Sequence, residues 1–225
     1  MTEYSAEGWD YNTLLDSAYQ YRPWVVEGLF TEASQVLLAA PPNIGKSVLL
    51  QQLAHCLASG DDFLGMKIPT PRRVLYIQSE GDLGETVKRG HEMEKMFPVP
   101  APGQVQWEYL LLGHINTKRG RDALIALCDQ FHLDNGVVII DPLYPTLRGS
   151  MSDDSAASDY TATLNQVIHR FNSTIILCHH EHSPIRNTEG KKVNAAAGES
   201  VFGSFVWLAW TTWGLQLQYT TGRAA

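Results

Sequence analysis

The chain has 225 residues, 44% of them hydrophobic, with 17 Lys and Arg against 24 Asp and Glu, a formal charge of −7. That size predicts one globular domain with a useful core, and no apolar run approaches the roughly 20 residues of a membrane span. An acidic balance gives nucleic-acid binding no global electrostatic support, so any such binding needs a local basic loop or a ring of subunits. Cys56, Cys128 and Cys178 are widely spaced in apolar patterns. They predict buried reduced thiols, and with no signal-peptide pattern at Met1-Thr2-Glu3-Tyr4 the expected setting is cytoplasmic.

Residues 1–23 form a polar arm with interleaved aromatics, among them Trp9, Tyr11, Tyr19 and Tyr21, and residues 24–225 are expected to form the domain proper. The arm either packs on its own core or docks on a neighbouring subunit. The first strand is predicted near Ser34 to Ala39, and a helix follows through Leu49, Leu50, Leu53 and Leu57, stopping at Ser59-Gly60. Between them lies Ala40-Pro41-Pro42-Asn43-Ile44-Gly45-Lys46-Ser47. This is the phosphate-loop pattern G-x-x-x-x-G-K-[ST] with Ala40 in place of the first glycine. In that strand–loop–helix context, backbone N–H groups and a helix N-terminus converge on one anion. Pro42, Asn43, Ile44, Gly45, Lys46, Ser47 and Val48 are therefore the expected nucleotide-binding residues. Lys46 would reach the β- and γ-phosphates, and the Ser47 hydroxyl would hold Mg²⁺. Pro41 and Pro42 carry no N–H, so the cradle falls to Asn43 through Ser47.

A second strand, Val74 to Gln78, ends at Ser79-Glu80-Gly81-Asp82, and a helix through Leu83, Val87 and Met93 breaks at Pro98 to Gly103. Val105, Trp107, Tyr109 and Leu111 alternate as a strand does. A helix through Leu124, Leu127, Cys128 and Phe131 comes next, with Lys118, Arg119 and Arg121 read as its solvated start. Val137 to Asp141 is an apolar run ending in a carboxylate. Tyr160, Leu164, Val167, Ile168 and Phe171 mark a further helix with cap candidates Asp153, Asp154 and Ser155. Thr174 to Cys178 is another apolar strand, ending in His179-His180-Glu181-His182. After a polar loop, Trp213, Leu215, Leu217 and Tyr219 predict a strand. Strands alternating with helices, the most apolar of them without in/out alternation, predict an α/β fold. Its central sheet is expected to be mostly parallel, with helices on both faces.

Ligands of open α/β sheets gather at the carboxyl ends of the strands. Four such ends carry polar groups here: the loop, Glu80, Asp141 and His179. Asp141 can hold Mg²⁺ beside Ser47, or cap the turn that follows it. Glu80 can act as general base towards water, or simply favour the start of the next helix. Three ligands rarely converge from consecutive strand residues, so 179–182 argues against zinc and for a histidine at a strand tip. Together these residues point to ATP with Mg²⁺ and to hydrolysis. Arg186, Lys191 and Lys192 make the 183–200 loop locally basic, either as a channel for nucleic acid or as a solvated loop.

The ordered set resembles the RecA-like P-loop ATPases of the plasmid RepA hexameric-helicase type. It rests on 37–47, on Ala58-Ser59-Gly60-Asp61-Asp62-Phe63-Leu64-Gly65, on 74–82 with Arg89 beyond, on Val138 to Leu143, and on Ile176 to His180. The resemblance implies a RecA-like core, ATP hydrolysis with Mg²⁺ and active sites at the interfaces of a homo-oligomer, often a hexamer. It also implies Glu80 as catalytic glutamate, Asp141 as the Walker B acid, His179 as strand-tip sensor and a loop after 183 facing single-stranded DNA. Relatives place an arginine where this chain has Ala195-Ala196-Ala197-Gly198, which leaves Arg223 as the expected arginine finger, ahead of Arg186. The expected function is a DNA replication or recombination motor. The alternative is an ATP-dependent switch or loader that binds a protein partner without translocating.

Overall fold

The computed structural model describes residue 11 and residues 22–109, 113–180 and 203–218. Three strands in the middle of the chain are buried at every position: β4 (Val74–Gln78), β6 (Val137–Asp141) and, except for its last residue, β7 (Thr174–His180). Residues that lose water on both faces must be apolar on both faces, which is why these segments show no alternation. They join β3 (Gln35–Ala40), β5 (Val105–Tyr109) and β8 (Trp213–Gln216) in one six-stranded sheet of order β5-β4-β6-β7-β3-β8. Every pairing in it is parallel. The edge strands β5 and β8 are only partly buried; β8 keeps the alternation expected of half-covered strands, whereas in β5 the buried residue is Glu108. A small antiparallel hairpin, β1 (Trp24–Val26) with β2 (Phe30–Thr31), stands before the sheet.

The sheet divides the core in two. On one face Val74, Tyr76, Val137, Ile139, Ile176 and Cys178 pack with Leu50, Leu53 and Leu57 of α1 (Lys46–Ser59). On the other, Leu75, Ile77, Val138, Ile140, Ile175 and Leu177 pack against α3 (Lys118–Gln130), α4 (Asp154–Phe171) and the short α5 (Phe205–Trp210). The opposite parity of the two sets is the pleat of a strand written into the core. Because β3 lies beside β7 and β8, the chain leaving β3 crosses two strands through α1 before it pairs again at β4. That crossing lays α1 against β4 and β6.

Helix ends follow local chemistry. α1 stops at Gly60, whose φ of 79° is left-handed and whose N–H donates to the Cys56 carbonyl. Asp153 caps α4 by accepting from the N–H groups of Ser155 and Ala156, and α3 starts at the solvated cluster, with Lys118 paired to Asp122. α2 (Leu83–Met93) forms where the helix through Leu83, Val87 and Met93 is expected. Leu83 and Val87 are exposed, and Thr86 and Met93 are its buried residues. β7 also runs two residues past Cys178, so that His179 and His180 belong to the strand. The arm at 12–21, Leu110 to Leu112 and the residues from 181 to 202 lie outside the described residues, as does Tyr219.

Candidate functional site

The loop after β3 is shaped by two left-handed residues, Asn43 at φ 61° and Gly45 at φ 100°. Asn tolerates that region and glycine enters it without cost, and alternating handedness turns successive N–H groups towards one concavity. Gly45 is also the N-cap of α1, with no side chain to cap the helix, and a Cβ built on it would meet no atom within 4 Å. The helix N-terminus therefore opens onto free space, as an anion cradle requires. Ala40 closes β3 in extended conformation. A glycine is not needed there, which accounts for the departure from the usual pattern. Lys46 is 5% exposed and folds back over the loop, its Nζ donating to the carbonyls of Ala40 at 2.9 Å and Pro41 at 2.6 Å. Those two carbonyls tie the ammonium group to the loop.

Two strands away, Asp141 ends β6 at 4% exposure. In the β4–β6 register it stands opposite Gln78, two residues before Glu80. Its Oδ2 accepts a hydrogen bond of 2.6 Å from the Tyr76 hydroxyl. Burial, and then the Asp141 charge, hold the Tyr76 hydroxyl well above its ordinary pKa, and the same two causes raise the Cys178 thiol on β7. Both groups therefore stay protonated beside the carboxylate. Ser47, Gln78, Glu80, Arg89 and Asp141 line one cavity of about 200 Å³, with Trp107 and Pro142 in its wall. A larger apolar groove of about 550 Å³ between α1, α2 and β5 shares Gln51, Thr86 and Trp107 with that cavity but contains none of the loop residues 40–48.

Glu80 is half exposed at the tip of β4, and His180 Nε2 lies 3.2 Å from its Oε1. His180, Cys178 and Ile176 share one face of β7, whereas His179 alternates with them and falls on the face of Leu177, where it is buried. The histidine that the fold brings to Glu80 is thus His180. Lys46, Ser47, Glu80 and Asp141 are gathered at neighbouring strand tips as expected. Arg186, Lys191, Lys192 and Arg223 lie outside the described residues. Two groups at the site have no role assigned from the sequence, Arg89 being named there only as part of the resemblance. Arg89 projects its charge from α2 towards Tyr76, lowering the tyrosine's pKa against the stronger effects. Tyr76 itself reads as core in an apolar strand.

Among the described residues, no cluster of three or more His, Cys, Asp or Glu could hold a metal ion unaided. The donors at the site are the Ser47 hydroxyl and the Asp141 carboxylate, both hard oxygens. Such a sparse set suits Mg²⁺, which keeps several waters and takes further ligands from substrate phosphates. No helix among the described residues is long and apolar enough to cross a membrane.

A family model described as an AAA domain matches residues 3–183. A solved structure of a KaiC-like protein from the hyperthermophilic archaeon Pyrococcus horikoshii OT3 superposes with a TM-score of 0.53 at 15% sequence identity. The match covers 88% of this chain and 77% of that one. At that identity the likeness speaks for the fold alone. No curated protein matches the chain. Family match, sheet order and phosphate loop agree: the chain belongs to the AAA domain family, as a nucleotide-binding ATPase domain built on a RecA-like core.

Proposed function

We propose that the protein is a Mg²⁺-dependent ATP hydrolase, acting as a replication or recombination motor of the RepA hexameric-helicase type. The observation that carries the hydrolytic reading is the cavity at the strand tips. Ser47, Glu80 and Asp141, from three elements far apart in sequence, line it together. The loop N–H groups from Asn43 to Ser47 bind the phosphates, and Lys46 leaves the Ala40 and Pro41 carbonyls to neutralise the β- and γ-phosphates. Ser47 and Asp141 would hold Mg²⁺, which would supply positive charge to the phosphate oxygens. Glu80 orients the attacking water and takes its proton, and His180 steadies the Glu80 carboxylate through its Nε2. A neighbouring subunit would supply Arg223 as the arginine finger. Single-stranded DNA would run along the loop bearing Arg186, Lys191 and Lys192.

The net charge of −7 favours a second reading, an ATP-dependent switch or loader that engages a protein partner and does not translocate. ATP turnover with and without single-stranded DNA, together with mass in solution, separates the two. A motor assembles into several subunits and turns over faster with DNA. A monomer whose turnover ignores DNA, and which captures a partner only with ATP bound, is the switch.

A further inference from the structure

Tyr76 lies midway along β4, 1% exposed, two residues before Gln78, the register partner of Asp141. Residues two apart on a strand share a face and stand about 6.5–7 Å apart. That is the span of a tyrosine side chain, so Tyr76 runs up the α1 face of the sheet and delivers its hydroxyl to Asp141 Oδ2 at 2.6 Å. A core tyrosine can satisfy its hydroxyl on any nearby carbonyl. This one is spent on the acid at the strand tip.

The ring is held as firmly as the hydroxyl. Tyr76 stacks on Trp107 with centroids 3.9 Å apart and planes 8° from parallel. Trp107 in turn donates its indole N–H to Gln78 Oε1 at 3.0 Å, an atom that also accepts from the Thr86 hydroxyl at 3.0 Å. Gln78 Nε2 reaches the Glu80 carbonyl at 3.0 Å. Swinging the tyrosine ring would disturb the stack and, through Trp107, bonds that run to the base of Glu80. On the adjacent strand β7, burial and then the charge of the same carboxylate hold the Cys178 thiol's pKa up.

We propose that Tyr76 is the positioning residue of the metal-holding carboxylate: its hydroxyl fixes Asp141 Oδ2, which leaves the other oxygen for Mg²⁺ and its waters, while Trp107 holds the tyrosine ring in place. The proposal rests on the assignment of Asp141 to the metal. An aspartate without such a partner samples several χ1 and χ2 settings, and groups that orient a metal ligand typically contribute about 10–100-fold in metal affinity.

Mn²⁺ binding to the protein with ADP, read by the loss of the free-ion paramagnetic resonance signal, tests this in four proteins. These are the wild type, Tyr76→Phe, Trp107→Leu and Asp141→Asn. Tyr76→Phe keeps the ring and the stack and removes only the hydroxyl. It is expected to weaken Mn²⁺ binding about tenfold and to raise the half-saturating Mg²⁺ for turnover in step. ADP affinity measured in chelator should stay within about twofold, because the phosphate loop is untouched. Trp107→Leu, on the edge strand, should move Mn²⁺ affinity in the same direction by about threefold, and it decides the matter alone if Tyr76→Phe does not fold. A merely structural tyrosine would lower the melting temperature and leave Mn²⁺ affinity alone. The proposal is overturned if both variants bind Mn²⁺ like the wild type while Asp141→Asn does not. If Asp141→Asn also binds like the wild type, the metal assignment fails and takes the proposal with it.

Discussion

The two ends of the same parallel strands are built differently. At their amino ends the chain is tied down by main-chain bonds and by side chains that touch no cavity of the site. Arg72 pairs with Glu32 at 2.5 Å and donates to the Asn135 carbonyl, Arg73 donates to the Phe131 carbonyl, and Val137 N–H donates to the Arg73 carbonyl. At their carboxyl ends polar side chains are buried and bonded mostly to one another: Lys46 over its own loop, Asp141 on Tyr76, Gln78 between Trp107 and Thr86. A parallel sheet directs all its strands one way, so one end can be spent on stability and the other on chemistry. Substitutions at the two ends should therefore separate turnover from stability.

The largest separation is expected from Lys46→Ala. Loss of the ammonium group removes a charge-assisted contact to the transferring phosphate, and ATP turnover should fall at least about 100-fold. The melting temperature should barely change, which thermal denaturation without nucleotide checks. Arg72→Ala should do the reverse. It leaves the largely buried Glu32 without its partner, at about 1–3 kcal/mol of unfolding free energy in urea titration, with kcat within about twofold. A variant that lost turnover and stability together at either end would blur the distinction.

A smaller effect comes from the buried thiol of α3. Burial, followed by the Asp129 charge, pushes the Cys128 thiol from 9.0 up to about 12. A folded-state pKa above the unfolded one means stability is intact below about pH 9 and is lost as pH rises towards 12. Between pH 8 and pH 10.5 the fold should lose on the order of 1–2 kcal/mol, and Cys128→Ala should flatten that decline. Denaturant midpoints at the two pH values measure it.

How much of this was legible in the sequence follows from where each signal resides. β4 and β6 appear with their observed bounds because double-sided burial demands unbroken apolar runs, and the phosphate loop appears because local backbone geometry demands its glycine. Glu80 and Asp141 stand at the ends of those runs, so their placement came with the strands. α5 was missed because Phe205–Trp210 is six residues long, too short to display a helical period among so many apolar side chains. The strands of the β1–β2 hairpin are shorter still. That His180 is the histidine beside Glu80 turns on where β7 stops. With the strand continued past Cys178, alternation hands the second histidine to the α1 face. Tyr76 was hidden for another reason. A tyrosine in an apolar strand reads as core, and its partner is 65 positions away.

The most direct test of the central claim is ATP turnover by Glu80→Gln beside the wild type. The substitution keeps the size of the side chain and removes its capacity to take a proton. Turnover should fall about 10²–10⁴-fold while ATP affinity is retained. Full activity in Glu80→Gln would contradict the account, because Glu80 would then not be the catalytic base proposed for the strand-tip cavity.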